Sequence, residues 1–331
     1  MPTSDLCPLE FEPIIKTLLW GGRRLGTILH KSIGDGGHQA ESWELSDHGD
    51  DVSQVKSGPF AGQTLRTLIR SHGAELLGKG FDNRSQFPLL VKFLDADQVL
   101  SVQVHPDDEL GRKLAGDNGK TETWVILHAE PGSKIYAGLK AGVTREQFAA
   151  GIESGAVEPL LHAFEAKPGD CVMIPAGTVH AIGAGIVLAE IQQMSDATFR
   201  VFDWGRVGPD GLPRKLHPAE SLESINFAAG PVNPLAAVPE PFDGGVREPL
   251  SRCAYFQVER DRLDAGKALK IGQADHFTIV IGLEGKADIR YEGQVFPVGL
   301  GQTVLLPAAI GPVEVVGEPE TGAVFLTCIV P

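Results

Sequence analysis

The sequence predicts a mainly β protein of two barrel-like domains with a few short helices. Three observations carry that prediction. Glycine and proline number 40 and 23 among 331 residues, which marks frequent turns between short strands. Short strand candidates recur through both halves of the chain, bounded by Gly, Pro and Asp. Finally, a strand-turn segment occurs twice. PGDCVMIPAGTVH (168–180) and LGQTVLLPAAIGP (300–312) align Gly169 with Gly301, Val172 with Val304, Pro175 with Pro307 and Ala176 with Ala308. A looser upstream pair, ETWVI (122–126) and FTIVI (277–281), extends the match, as two units of one type would.

Taken in order, residues 1–60 read as irregular and Gly-rich, with a short strand candidate at 41–46. Residues 62–79 place Leu65, Leu68, Ile69, Leu76 and Leu77 at helical spacing. A second, shorter helix starts after Thr144, a suitable N-cap. Strands are expected at 89–94, 99–104, 121–128, 171–174 and 186–192. Residues 228–247 are rich in Pro, Ala and Gly without periodicity and read as a linker. They divide the chain into domains 1–235 and 236–331. The second reads as all-β, with strands at 254–259, 277–283, 287–291, 302–306, 313–316 and 324–329.

Composition excludes several classes of function. The chain is 42% hydrophobic and 22% charged, so a core is affordable. Its net charge of -14 repels nucleic acid phosphates. Any anionic substrate must therefore meet a local cluster of Lys and Arg. No apolar run approaches the roughly 20 residues of a membrane span. The N-terminus lacks the basic and apolar regions of a secretory leader. Cys7, Cys171, Cys253 and Cys328 lie far apart with no CxxC, which suits reduced thiols and a cytoplasmic location.

Three segments carry chemistry. In SVQVHP (101–106), strand alternation sends Gln103 and His105 to one face and Val102 and Val104 to the other. In KTETW (120–124), Lys120, Glu122 and Trp124 share a face. PAGTVH (175–180) is a turn that delivers His180 to a strand start. Imidazole, carboxylate and amide oxygen suit a borderline divalent metal. With one formal negative charge among four ligands, such a metal stays a usable Lewis acid. Singly, each element is more often an ordinary polar or solvated position. The combined order is more specific: QxH, then KxE 15 residues on, then PxGxxH another 53 on. In the second copy of the repeat Pro312 stands for His180 and Phe277 for Glu122, so the second domain is expected to bind no metal.

That order is the double-stranded β-helix, or jelly-roll, pattern of the cupin superfamily, with Gln103 in place of the first motif's leading His. The chain further resembles the type I mannose-6-phosphate isomerase family in its short bacterial form. The residues that carry the resemblance are LVKFLDADQVLSVQVHPDD (90–108), KTETW, IPAGTVHAIG (174–183), Trp20-Gly-Gly22 and SDATFRVFDWGR (195–206). It is close over residues 15–220 and looser beyond. One departure is Met194, where the short form has Asn. The resemblance implies two cupin-like barrels, of which only the first holds metal. One zinc ion per chain would be held by Gln103, His105, Glu122 and His180. Lys120 and Arg200 would face the substrate, with Asp196 near the reacting carbons and Trp20, Ser42 and Trp43 near the pocket. The implied reaction interconverts mannose 6-phosphate and fructose 6-phosphate. The expected partner is a small sugar phosphate, with neither nucleic acid nor membrane, and the chain would be a monomer or weak homodimer.

The reaction fits the residues. Aldose–ketose isomerisation moves a proton between C1 and C2 through an enediol, and a cation fixed at O1 or O2 stabilises the developing charge. Arg200 would add a second fixed cation. Lys120, Asp196 and a metal-bound water are the candidates for the base. Arg23, Arg24, Arg206 and Lys215 are the candidates for the phosphate. Two competing readings are a dioxygenase or epimerase on the same scaffold and a non-enzymatic sugar-binding regulator. Gln103 suits an iron facial triad poorly, and a regulator would be expected to have lost ligands.

Overall fold

Two runs buried on both faces, Leu89–Ala96 and Ile186–Gln193, form the centre of a six-stranded antiparallel sheet. The computed structural model describes residues 5–81, 85–208 and 211–331. From edge to edge the sheet runs Cys171–Ile174, Glu122–Ala129, Ile186–Gln193, Leu89–Ala96, Gln39–Leu45 and Ile14–Gly22. A five-stranded sheet faces it, in the order Leu161–Glu165, Lys134–Leu139, His180–Ile182, Val102–Val104, Phe199–Phe202. Trp20, Leu94, Trp124, Ile126 and Leu188 of the larger sheet pack on Ile135 and Ile182 of the smaller. Among the described residues the two are separate hydrogen-bonded sheets, so this first domain is a jelly-roll sandwich.

Helices cover the outer faces. Helix Arg145–Ser154 opens on a capping box at Thr144 and Gln147 and ends at left-handed Gly155. With helix Pro218–Ser224 it lies behind the smaller sheet, where Phe148, Val157 and Ile225 meet Val102, Val104 and Phe199. Helix Leu65–Leu77 buries the five apolar side chains that the periodicity marked. It stops at Gly78, where a Cβ would sit 2.1 Å from the Asp275 carbonyl oxygen. Residues 39–45 form the strand expected near 41–46, whereas residues 14–22 differ from the irregular run expected of them. The latter form the edge strand of the sheet, with Lys16, Leu18 and Trp20 toward the cavity described below, so no clean apolar alternation announces it.

In the second domain the order Thr303–Leu306, Thr278–Tyr291, Ala323–Ile329, Gln257–Leu263, Gly245–Arg252, Glu240–Phe242 repeats that of the six-stranded sheet, strand for strand. The repeat therefore spans a whole sheet. Its register corrects one expected correspondence. Ile174 lies opposite Glu122, whereas Leu306, its counterpart, lies opposite Thr278. Thr278, not Phe277, occupies the position of Glu122. A slip of one residue reverses the face of every side chain in a strand. Phe277 accordingly packs outward against Phe81 and Phe87 between the domains.

The supposed linker at 228–247 is shorter than expected, because its second half is paired. Pro241 lies on the edge strand of the sheet, where a missing N–H is tolerated. The irregular part is tied down by Val232 N–H to the Ala137 carbonyl (3.1 Å) and Leu235 N–H to the Cys171 carbonyl (2.7 Å). Strand Leu9–Glu12 crosses the 235/236 division and pairs with Thr303–Leu306. The largest core cluster is shared too, with Phe87, Leu89, Val91 and Phe93 packed with Phe256, Phe277, Ile279, Leu305 and Leu326. A chain ending at Val246 would expose this face, and each large side chain so exposed costs about 1.5–3 kcal/mol. Such a chain is expected to aggregate. A soluble, monomeric fragment with a cooperative thermal transition would show that the first domain stands alone.

Among the described residues no helix is long and apolar enough to cross a membrane.

Candidate metal centre and cavity

Pleat and register bring the motif residues together. Gln103 and His180 are directly opposed on neighbouring strands of the five-stranded sheet, and Arg200 opposes Gln103 from the other side. Glu122 reaches across from the six-stranded sheet. Its Oε2 lies 3.4 Å from His105 Nε2 and its Oε1 lies 3.5 Å from His180 Nε2. Gln103 Nε2 is 3.2 Å from His180 Nε2, and Lys120 Nζ is 3.3 Å from Glu122 Oε2. All are buried except Gln103 and Arg200, which are partly exposed. Among the described residues His105, Glu122 and His180 are the one group of three or more His, Cys, Asp or Glu close enough to share a metal ion.

The hydrogen bonds prepare both imidazoles as ligands. His105 Nδ1 lies 2.9 Å from the Ala197 carbonyl and His180 Nδ1 lies 2.9 Å from that of Thr178. A carbonyl accepts only, so each Nδ1 carries the proton and each Nε2 turns its lone pair inward. His105 Nε2 and both Glu122 carboxylate oxygens are buried without a hydrogen-bond partner. Burial lowers the pKa of His105, with Lys120 adding to the effect, and pushes that of His180 down to about 3. Burial raises Glu122, but Lys120 and His105 reverse this and hold it below the carboxylate range. Neutral imidazoles, an ionised carboxylate and orphaned lone pairs converging on one point fit a bound divalent cation.

A cavity of about 460 Å3 opens beside these ligands. Of the residues singled out in the sequence, it is lined by Gln103, Lys120, Arg200, Asp196, Trp20 and Trp43. Arg200 is held by Nε to Ser101 Oγ (3.2 Å) and Nη1 to the Lys215 carbonyl (3.0 Å). The loop carrying Asp196 is fixed by Gln192 Nε2 to the Ser195 carbonyl (2.6 Å) and by Asp196 N–H to Asp117 (2.9 Å). Met194 is buried in the core between the domains, away from the cavity.

Five of the expected residues do not line the cavity. Ser42 does not reach the cavity. It alternates with the lining residues Glu41 and Trp43, so its fully buried hydroxyl points the other way and donates to Glu44 (2.6 Å). The four phosphate candidates are not among the cavity's lining residues either. Arg24 serves Asp95, Asp97 and Glu130, and Arg23 donates to the carbonyls of Gly34 and Gly36. Arg206 donates to Asp203 and to the Val99 carbonyl, while Lys215 offers its backbone oxygen to Arg200. Ser42→Ala is therefore expected to lower stability by about 1–2 kcal/mol, the cost of an unmet buried partner, with KM unchanged. A raised KM with unchanged stability would return Ser42 to the pocket.

Sequence reasoning missed Lys92, Glu190, Lys16, Arg214 and His217, which also line the cavity. Lys92 Nζ stands 3.6 Å from Glu41 and 3.6 Å from Glu190 and lies over the Trp43 ring. Burial alone would lower the Lys92 pKa, but the two carboxylates hold it above its ordinary value. Glu190 is pushed up to about 7, first by burial and then by Glu122. Lys92 and Glu190 share a face of paired strands with Glu122 and Trp124, a signal that needs the register to be known.

A jelly roll whose mouth gathers metal-competent side chains and cations over one cavity defines a cupin enzyme. Residues 9–122 match the catalytic domain of phosphomannose isomerase type I, and residues 248–326 match the mannose-6-phosphate isomerase cupin domain. Mannose-6-phosphate isomerase ManA of Bacillus subtilis is 36% identical over 95% of this chain and 97% of its own. The mannose-6-phosphate isomerase of Streptococcus mutans is 33% identical over 95% and 96%. The crystal structure of the mannose 6-phosphate isomerase from B. subtilis superposes with a TM-score of 0.88 at 30% identity, covering 98% and 99% of the chains. A variant of the Salmonella typhimurium phosphomannose isomerase shares the fold, with a TM-score of 0.77 at 17% identity over 98% and 99%. The chain belongs to the type I phosphomannose isomerase family and is an isomerase.

Proposed function

We propose that the protein is a zinc-dependent aldose–ketose isomerase that interconverts mannose 6-phosphate and fructose 6-phosphate through an enediol. The observation that supports it best is the set of unpartnered lone pairs on His105 and Glu122, facing His180 beside a cation-lined cavity. His105, Glu122, His180 and Gln103, with its amide oxygen turned inward, would hold one ion per chain. When bound, the metal supplies a Lewis acid for the substrate oxygens at C1 and C2.

The chain's own residues do the rest. Arg200, anchored at Ser101 and Lys215, holds a fixed positive fork at the cavity wall for the enediolate oxygen. Its pKa is lowered, first by burial and then by Arg214. This positive neighbourhood meets the need of a chain of net charge -14 for local attraction to a dianion. Arg214 and Lys16 line the cavity, each beside a single carboxylate (Asp203 and Asp51), and are the groups placed to meet the phosphate. The proton is carried between C1 and C2 by a titratable group of the wall, either Lys120, Asp196 or the Lys92–Glu190 pair. The ligands and cavity come from one chain, so a monomer or weak homodimer suffices. Four free cysteines fit a cytoplasmic enzyme.

The test is turnover of mannose 6-phosphate by the zinc-loaded protein in D2O. Deuterium should enter at the exchanging carbon, and replacing the proton carrier should abolish exchange without loss of metal. Lys120→Met, Asp196→Asn and Lys92→Met identify which group it is. Isomerisation with no solvent exchange in any regime of turnover would point to hydride transfer and away from an enediol.

A further inference from the structure

The repeat relates two cavities as well as two sheets. With Thr278 at the position of Glu122, Val280 falls at that of Trp124. Cross-strand pairs then fix the other equivalences. Trp124 opposes Glu190, and Val280 opposes Thr327. Glu190 opposes Lys92, and Thr327 opposes Glu259. Leu94 opposes Glu41, and Asp261 opposes Arg247. Glu122 of the metal centre and the first cavity's wall residues Glu190, Lys92 and Glu41 thus correspond to Thr278, Thr327, Glu259 and Arg247 in the second domain. All four line a second cavity of about 170 Å3.

A barrel mouth that had become mere packing would fill with apolar side chains, since unpaired buried polar groups are costly. Here the polar wall has been kept. Arg247 is held by Asp261 at 2.7 and 3.0 Å and lies 3.2 Å from Glu259, and Gln257 donates to Glu259 at 2.8 Å. Thr278 is 2% exposed, and its hydroxyl has no hydrogen-bond partner. Lys270 and Gln273 stand at the exposed rim.

We propose that this second cavity is a binding site for a small neutral polyol, a monosaccharide or sugar alcohol, distinct from the metal-centred site. The charges argue for a neutral ligand. Arg247 and Lys270 are balanced by Glu259 and by Asp261 behind it, so a phosphate dianion gains little. A cation would meet the Arg247 guanidinium and only one lining carboxylate. Fixed donors and acceptors side by side suit hydroxyl groups, each of which both donates and accepts. The volume admits one small ring or a short chain and is well below the 460 Å3 of the first cavity.

The full chain, labelled at its isoleucine methyl groups, is titrated with D-mannose and with D-mannitol. Ile271 and Ile329 line the second cavity, and Ile182 lines the first, so the sites report separately. The methyls of Ile271 and Ile329 should shift saturably in the millimolar range, and inorganic phosphate should leave them in place. Thr278→Val should weaken binding roughly tenfold or more, as loss of a buried hydroxyl partner does, with isomerase kcat and KM unchanged. Glu259→Ala, at a partly exposed position, should act likewise and guards against misfolding of the first variant. The proposal falls if neither polyol shifts Ile271 and Ile329 saturably. It falls equally if both variants bind as the parent does, or if phosphate shifts these methyls as strongly.

Discussion

His105→Ala and His180→Ala are each expected to lose the bound zinc equivalent and, with it, isomerase activity by about 10³-fold or more, the worth of a Lewis acid supplying several kcal/mol. Each imidazole presents an Nε2 lone pair to the same point, oriented by a backbone carbonyl on Nδ1. Removing either leaves Glu122, with one imidazole, as the strong ligands. Lys120, at 3.3 Å, then competes for the carboxylate as its counter-ion. Chelation of the unaltered protein should have the same effect on activity, and added zinc should restore it. Elemental analysis and turnover of mannose 6-phosphate are the two readouts. A full equivalent of zinc with unchanged activity in either variant would show that the ion sits elsewhere.

Arg200→Ala should keep both fold and metal while turnover falls on the order of 10² or more, as when an oxyanion-stabilising donor is removed. Its strand is pinned through Phe199 opposite Val104 and through the Arg200 N–H to His217 (3.1 Å), so the backbone does not depend on the guanidinium. Arg200→Lys should recover little. An ammonium retains the charge but not the planar fork that bonds Ser101 and Lys215 while facing the cavity. Near-normal turnover in the lysine variant, with metal content unchanged, would mean that charge alone is sufficient.

The legible part of the site was the part written in local periodicity. Alternation correctly paired Gln103 with His105 and Lys120 with Glu122, because a strand's two faces follow from residue parity alone. The same rule, applied to Glu41, Ser42 and Trp43, would have separated Ser42 from its neighbours. Lys92 was obscured for the opposite reason. It lies in LLVKFLDA, a strand buried along its whole length, where one cation among apolar residues gives no periodic signal. Glu190 is hidden likewise in IVLAEIQQ.

Residue order alone established a mainly β chain, two repeated units, the two main helices and the spacing of the metal-competent residues, since each depends on neighbours within a few positions. Which strand lies beside which is settled by long-range packing and hydrogen bonding, and everything dependent on it needed the folded sheets. That includes the meeting of Glu122 with His105 and His180 from the facing sheet, and the capture of Arg23, Arg24 and Arg206 by distant acceptors. It includes the one-residue register that makes Thr278 the counterpart of Glu122. It also includes the N-terminal strand's place in the second domain, because a strand of four residues carries too little pattern to name its partner.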